Sequence, residues 1–359
     1  MSFKLLKLLL RTGKFLRVTP PLSNKDTGFL QRSYILGVFF TISVGVIMST
    51  LYKKCYLQYI HIKIIISFLE DIALYTLNFY ASVVLNFWKA ESWFHLMENL
   101  KATESLTSAK REKLPYYFGF LLLNIVYWVL ALHEIIIWYR LTNLDYFLKQ
   151  YFIVIIQLYL KFFCTFLLNV VTNMLLSRYR GVKLLLLNFL RRKKKFGALN
   201  TLDMMHQTET IVHFLKKTVD MYNEIFGFPI FLTISFTTLH ILNYVHYTIF
   251  YSNRFEVLDM IILNIGFLTW NLVGAVTLIT LCDLVQQEGE KILTLSYKLH
   301  VQCHTVEDVC RFESFLQLIS NNLPKFTAAK FFYIRRSTIL DMLNTVYTFL
   351  IIMIQFEAQ

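Results

Sequence analysis

Long apolar stretches alternate with shorter polar segments along almost the whole chain. A bilayer core about 30 Å thick is crossed by roughly 20 consecutive apolar residues in helical form. Stretches of that kind occur near residues 33–52, 60–88, 116–139, 150–177, 228–250, 257–283 and 337–356. Because only helices and closed barrels satisfy the backbone in lipid, the pattern predicts an all-α, polytopic membrane protein. We expect seven transmembrane helices in a single domain over residues 1–359.

The lysines and arginines predict the orientation of these helices. The N-terminal segment and the loops after the second, fourth and sixth spans carry 27 Lys and Arg, and the opposite loops carry 5. Positive residues collect on the cytoplasmic side, so we expect the N-terminus inside and the C-terminus outside. The net charge of +13 then reflects this bias, and neither nucleic-acid binding nor a nucleic-acid partner is indicated.

This orientation argues against a metabotropic seven-helix receptor, which keeps its N-terminus outside. The Asp-Arg-Tyr motif is absent after the third span, and the seventh span contains no Asn-Pro-x-x-Tyr. A secondary transporter is a second alternative, favoured by inverted repeats and by helices broken at matching positions. Neither feature is found, and Pro229 is the one proline just inside a span.

No pattern in the chain indicates an enzyme, a cofactor or a metal site. Catalytic triads and paired carboxylates do not stand out, and the five cysteines are scattered. The cluster His300, Cys303, His304 and Cys310 lacks the Cys-x-x-Cys pairs and matched His spacing of zinc sites. We therefore expect a receptor, channel or transporter without a bound cofactor or metal.

The predicted cytoplasmic segments also contain helical patterns. Residues 1–32 begin with Lys4, Lys7, Arg11 and Lys14 on one helical face, which predicts an amphipathic helix at the inner membrane surface or a solvated basic tail. Residues 178–227 and 284–336 are predicted to be helical anchor segments. The second of these has an apolar seam whose spacing is typical of helix packing, either between subunits or within one subunit. The seam comprises Val309, Phe312, Leu316, Ile319 and Leu323.

The last span, 337–356, carries its polar residues on one stripe. Lipid offers no partners for polar groups, so a polar stripe on a membrane helix indicates either a water-filled pore or bonds to neighbouring helices. A third interpretation is that Gln355 has already reached the interface. The stripe consists of Asp341, Thr345, Thr348, Ile352 and Gln355, with Asn344 beside it.

The segment "AAKFFYIRRSTILDMLNTVYTFLIIMIQF" resembles the C-terminal signature of insect gustatory receptors. That signature is Thr-Tyr, five apolar residues and Gln-Phe. Here it reads Thr348, Phe349, "LIIMI", Gln355 and Phe356. Phenylalanine replaces the tyrosine, and Lys330 stands where glycine is more usual.

The resemblance implies a tetrameric, ligand-gated, non-selective cation channel whose central pore is lined by the last helix of each subunit. It implies that Gln355 rings the pore mouth, with Ile352 and Phe356 forming the apolar constriction. Thr345 and Thr348 would face the pore with them. The helical wheel adds Asp341, which would hold permeant cations in the inner vestibule.

Ligands of this family bind among the spans in the outer half of the membrane, but the motif does not identify pocket residues. Candidates must come from polar and aromatic groups inside spans, which are costly and often functional. Each could instead serve interhelical pairing, for instance Lys161 with Glu70 or Glu134. The candidates are Glu70, Asp71, His133, Glu134, Gln157, Lys161, Thr238, His240, Asn243, Asn264 and Trp270.

The sequence thus indicates a gustatory receptor opened by a small-molecule tastant. Its partners would be that tastant, membrane lipid, permeant cations and other gustatory receptor subunits in a homo- or hetero-tetramer. We expect it in the plasma membrane of chemosensory neuron dendrites. The pattern leaves open whether the tastant is a sugar, a bitter compound or another small molecule.

Overall fold

The computed structural model describes residues 9–13, 19–20, 29–52, 61–106, 115–141, 144–192, 198–251, 257–301 and 306–357. These residues are almost entirely helical, which confirms the predicted fold class. The helices are α1 Phe29–Tyr52, α2 His61–Phe79, α3 Ala90–Leu106, α4 Pro115–Leu141, α5 Leu144–Gln150, α6 Phe152–Arg192, α7 Ala198–Tyr251, α8 Val257–His300, α9 Val306–Asn321 and α10 Ser337–Glu357. A π-helical turn, Tyr80–Val84, and a short turn, Leu85–Phe87, continue α2.

Six of the described helices are long and apolar enough to cross a membrane, and α10 contains a shorter apolar segment, Ser337–Ile352. The complete α10 has 21 residues, or about 31 Å at 1.5 Å per residue. α6, α7 and α8 have 41, 54 and 44 residues, so each extends about 30–50 Å beyond a bilayer core. The cytoplasmic location of these extensions stays a prediction.

α7 lies at the centre of the bundle and contacts α2, α3, α6, α8, α9 and α10. Many of the largest fully buried side chains belong to the extensions rather than to the predicted membrane layer, among them Trp93, Tyr179, Tyr222 and Phe312. The extensions therefore have an apolar core of their own. α3 contributes Trp93, Leu96, Met97 and Leu100 to it. The spacing of these four residues, three, one and three, is typical of one helical face and is a signal of this helix in the sequence.

The seam on α9 packs inside the subunit. Phe312, Leu316 and Ile319 are buried, whereas Val309 and Leu323 are half-buried. α9 lies against α8 and α7 of the same chain. Of the two interpretations of this seam, packing within one subunit is the one that the described contacts support.

The N-terminal segment is described only in small part. Leu9 and Leu10 are 0% and 3% exposed and belong to the same core cluster as Phe163 of α6. Arg11 is exposed. The apolar side of this segment therefore packs against protein. Lys4, Lys7 and Lys14, which define the predicted basic face, lie outside the described residues.

α9 and α10 are joined by a small hairpin, the one departure from helix, turn and loop among the described residues. Strands β1 Thr327–Ala328 and β2 Phe332–Tyr333 are antiparallel, with Thr327 paired with Tyr333 and Ala328 with Phe332. The turn between them holds Ala329 at φ 50° and Lys330 at φ 64°. Glycine adopts this left-handed region most readily, which is the physical reason why glycine suits position 330.

The hairpin is attached to α7 through two residues. The Asn223 side chain donates to the Lys325 carbonyl at 2.7 Å and accepts from the Thr327 N–H at 3.1 Å. Ala329 N–H donates to the Gly227 carbonyl at 2.9 Å. A Cβ at Gly227 would lie 3.1 Å from Ala329 N and 3.2 Å from Thr327 O, so glycine permits this close approach.

Candidate functional site

The last helix, α10, starts from a well-fixed position. Arg335 N–H donates to Thr338 Oγ1 at 3.1 Å at the start of the helix, and Arg336 Nε lies 2.8 Å from Asp283 Oδ2 of α8. Gln286 of α8 donates to the Ile334 carbonyl at 2.8 Å. The segment between the hairpin and α10 is therefore tied to α8 as well as to α7.

Only one narrow face of α10 packs against its own subunit. Met342 and Val346 are 6% and 8% exposed, and Val346 shares a cluster with Ile66 of α2 and Ile241 of α7. Tyr347, by contrast, is 64% exposed. Most of the surface of α10 is thus left for lipid or for another chain.

The predicted polar stripe lies on this uncovered surface. Asp341, Thr345, Thr348 and Gln355 are exposed, and Ile352 is half-buried. Thr345 Oγ1 donates to the Asp341 carbonyl at 2.8 Å, and Thr348 Oγ1 donates to the Asn344 carbonyl at 2.9 Å. The helix itself therefore satisfies the two hydroxyl donors, while the side chains of Asp341 and Gln355 face outward. Phe356 belongs to the same helix.

A cavity of about 690 Å³ lies between α4, α6 and α8. Its volume falls within the range of about 300–1,000 Å³ that is usual for small-molecule sites. Phe162, Phe166 and Trp270 form aromatic walls, and the ring centroids of Phe162 and Trp270 are 5.1 Å apart. Gly119 of α4 also lines the cavity, and a Cβ there would meet nothing within 4 Å.

The polar lining of the cavity comes mainly from one stripe of α6. Lys161, Thr165, Asn169 and Asn173 recur every four residues and all line it, because that spacing places side chains on one helical face. Lys161 lies nine residues after the start of α6, about 14 Å along the helix axis. The cavity extends from Lys161 toward the predicted cytoplasmic end of α6, and not toward the predicted outer half where the sequence analysis expects the ligand site.

Lys161 contacts two helices besides its own. Its Nζ donates to Asn271 Oδ1 of α8 at 2.6 Å and lies 4.3 Å from the centroid of the Phe236 ring of α7. Phe236 also stacks on His240, with centroids 5.5 Å apart. The described contact of Lys161 is thus with an amide and an aromatic face.

Three of the candidate ligand residues meet elsewhere, between α2 and α7. His240 Nδ1 lies 2.7 Å from Glu70 Oε1, and Asn243 Nδ2 donates to Glu70 Oε2 at 2.9 Å. Ser67 Oγ donates to Asn243 Oδ1 at 3.4 Å. This cluster supports the interpretation of Glu70 as a residue in interhelical pairing, although with His240 and Asn243 rather than with the lysine considered from the sequence.

The candidate ligand residues therefore divide into groups. Lys161 and Trp270 line the cavity, and Glu70, His240 and Asn243 form the cluster between α2 and α7. Among the described residues, the remaining candidates line neither place. They are Asp71, His133, Glu134, Gln157, Thr238 and Asn264.

Six polar residues of the cavity were missed from the sequence, namely Thr165, Asn169, Asn173, Thr269, Asn271 and Thr277. Three of them, Thr165, Asn169 and Asn173, follow Lys161 at a spacing of four, and this periodicity was available as a signal. Asn271 becomes relevant only through its contact with Lys161 across two helices. No group of three His, Cys, Asp or Glu within the described ranges lies close enough to hold a metal ion.

Comparisons with known proteins agree with this architecture. A family model described as 7tm chemosensory receptor matches residues 6–359. The structure is similar to that of the insect olfactory receptor OR5 from Machilis hrabei in complex with eugenol, with a TM-score of 0.66, 12% identity, and 99% of each chain covered. A second structure of OR5 from Machilis hrabei gives a TM-score of 0.64 and 12% identity, covering 99% of this chain and 97% of that one. Among curated protein sequences the chain has no significant match.

Proposed function

The chain belongs to the 7tm chemosensory receptor family, and we propose that it is a gustatory receptor acting as a ligand-gated, non-selective cation channel. Members of this family are receptors and not enzymes. In the proposed assembly, four subunits place their α10 helices around one pore. A small-molecule tastant opens that pore from the plasma membrane of a chemosensory neuron.

The observation that carries this proposal is the uncovered polar stripe of α10. Apolar side chains such as Tyr347 can face lipid, but the Asp341 carboxylate and the Gln355 amide need water or polar partners. Both are exposed in the single subunit. A water-filled pore between the α10 helices of several subunits would surround both groups with water. The resemblance of the C-terminal motif implies that Gln355 lies at the mouth of this pore.

Each stripe residue then has a role. Gln355 offers amide oxygens to a partly dehydrated cation at the outer end. Ile352 and Phe356 form the apolar constriction, and Asp341 attracts cations in the inner vestibule. Thr345 and Thr348 keep a free lone pair toward the axis, because their hydroxyl protons are donated within the helix.

The cavity between α4, α6 and α8 is the proposed ligand site. The similar OR5 structure contains eugenol, and a cavity of about 690 Å³ with aromatic walls has the size and lining of a small organic ligand site. α8 connects the two regions, since it lines the cavity through Trp270 and holds the start of α10 through Asp283 and Gln286.

The test is expression of the chain alone, with cation currents recorded at the cell surface. Gln355→Glu would bring up to four carboxylates together at the pore mouth, and calcium permeability or block should change. Ile352→Ala should weaken the constriction and raise the current without ligand. Ile354→Ala is the matched control, since Ile354 lies on the same helix but off the stripe.

Surface labelling must first show that each variant reaches the plasma membrane. If Gln355→Glu keeps the parent's ion selectivity and Ile352→Ala leaks no more than Ile354→Ala, α10 does not line the pore. The proposed function would then be wrong.

A further inference from the structure

The amino group of Lys161 is enclosed in an apolar part of the bundle. Its residue surface is 2% exposed. A protonated lysine carries three N–H donors, of which one is directed to Asn271 Oδ1 and one face meets the Phe236 ring. Enclosing an ammonium without a direct counter-ion is unfavourable, so the protonated form of Lys161 is stabilised by an anionic acceptor from outside the chain.

No carboxylate among the described residues lies within 4.0 Å of Lys161 Nζ. Glu70 acts on it electrostatically, but the Glu70 oxygens are hydrogen-bonded to His240 and Asn243. The negative charge of Glu70 is therefore shared with other partners. The side of Lys161 that lines the cavity is left for a group from outside the chain.

Two more polar atoms of the same stripe have no hydrogen-bond partner among the described residues. They are Thr165 Oγ1 and Asn169 Oδ1, and Thr165 is 6% exposed. They follow Lys161 at one and two helical repeats, about 6 and 12 Å along α6. Buried polar groups are normally hydrogen-bonded, and rotation of either side chain on the cavity wall would bring its oxygen to a polar group bound in the cavity.

The rest of the lining restricts the shape of that occupant. Phe162, Phe166 and Trp270 present ring surfaces along the same length of the cavity. Aromatic walls favour a flat apolar body that stacks against them. The cavity therefore combines one buried amino group, aromatic walls, and polar side chains farther along α6 from that amino group.

We infer that the cavity binds small aromatic carboxylic acids, with the carboxylate at Lys161 and the ring packed against the side chains of Phe162, Phe166 and Trp270. A hydroxyl or amide on the far side of the ring would bond to Thr165 or Asn169. This ligand class rests on the ligand site proposed above. Lys161 acts as the residue that selects an acid over its neutral analogues.

The test uses three acids, phenylacetate, hydrocinnamate and phenylbutyrate, each with its methyl ester and its primary alcohol. Binding is measured on the purified full-length protein as the shift in unfolding temperature with ligand concentration, which needs no conduction. Each acid should bind more tightly than its ester and alcohol. Lys161→Met should weaken acid binding about 10- to 100-fold, the range expected for a lost charge-assisted hydrogen bond, and should change binding of the alcohol little.

Two variants complete the design. Lys149→Met removes an exposed lysine of α5 that pairs with Asp145 and should leave the preference for acids intact. A fourth acid, hydroxyphenylacetate, adds a ring hydroxyl to phenylacetate; Thr165→Val should weaken its binding and leave the binding of phenylacetate unaffected. The comparison of acids with their esters on the parent protein tests the inference by itself. The test therefore stays decisive even if Lys161→Met misfolds.

Equal binding of acids and their neutral analogues by the parent protein would overturn the ligand class, and so would unchanged acid binding by Lys161→Met. Either result is separable from failure of the channel. If the acids bind as expected while neither they nor Ile352→Ala produce a current, the ligand class stands and the proposed channel function is wrong.

Discussion

The hydroxyl of Tyr80 compensates for a proline inside α7, and its removal gives a measurable prediction. Pro229 lies within α7 and has no N–H, so the carbonyl four residues earlier, that of Ile225, loses its helical donor. Tyr80 Oη donates to that carbonyl at 2.6 Å. Tyr80 belongs to the π-helical turn that follows α2 and is buried.

Tyr80→Phe would keep the ring, which lies 5.6 Å from Phe228, and remove only the hydroxyl. Leaving a buried acceptor without its partner costs about 1–3 kcal/mol. Interhelical hydrogen bonds in a membrane protein average about 0.6 kcal/mol, with a maximum near 1.7. We therefore expect the free energy of unfolding to fall by about 1–1.5 kcal/mol, a value that is compatible with both estimates.

The assay is denaturant unfolding of the purified protein in detergent micelles. Tyr127→Phe is the matched control, because Tyr127 Oη also donates to a helix carbonyl at 2.6 Å, that of Ile155. Ile155 lies inside the regular helix α6, where the N–H of residue 159 is its expected donor. Tyr127→Phe should therefore cost less than Tyr80→Phe.

A double-mutant cycle tests the cause. Pro229→Ala restores an N–H for the Ile225 carbonyl, so Tyr80→Phe should cost about 0.5–1 kcal/mol less in that background. If Tyr80→Phe has the same effect with and without Pro229, or no larger effect than Tyr127→Phe, the compensation of the proline by Tyr80 is refuted.

Three further predictions concern topology, the seam and the hairpin. An epitope after Gln359 should be stained on intact cells, because the distribution of lysines and arginines predicts an outside C-terminus; staining only after permeabilisation would contradict the predicted orientation. Leu316→Asp should cost about 3–5 kcal/mol by placing an unpaired charge in the α9 packing, seen as reduced surface delivery, whereas Gln317→Asp on the exposed side should change little. Lys330→Gly should raise the free energy of unfolding by about 0.5–1 kcal/mol because it relieves the left-handed backbone; Lys325→Gly, at a residue without positive φ, should lower it, and a gain at both positions would disprove this reason.

Much of the fold was available from the sequence. Apolar length predicts membrane helices, and the spacing of the α9 seam predicts a helix with one buried side. Both are local properties, since they depend on the rise and period of a single helix and on its burial. The motif at Thr348 and Gln355 likewise belongs to one helix, and the spacing of its polar stripe is a property of that helix alone.

The partners of the polar groups were decided only by the tertiary structure. Lys161 and Glu70 are both isolated charges in apolar spans, and the sequence allowed them to pair. The structure directs Lys161 to Asn271 and Phe236, and Glu70 to His240 and Asn243. Which of these contacts forms depends on how each helix is rotated against its neighbours, and that rotation results from packing between residues that are distant in sequence.

The cavity shows the same division. The four-residue spacing from Lys161 to Asn173 is a property of the sequence and predicts one polar face on α6. Only the tertiary structure brings this face to Gly119 of α4 and to Trp270 and Gly274 of α8. A helical period determines which side chains share a face, because the backbone geometry is local, but the surface opposite that face is set by the crossing of three helices.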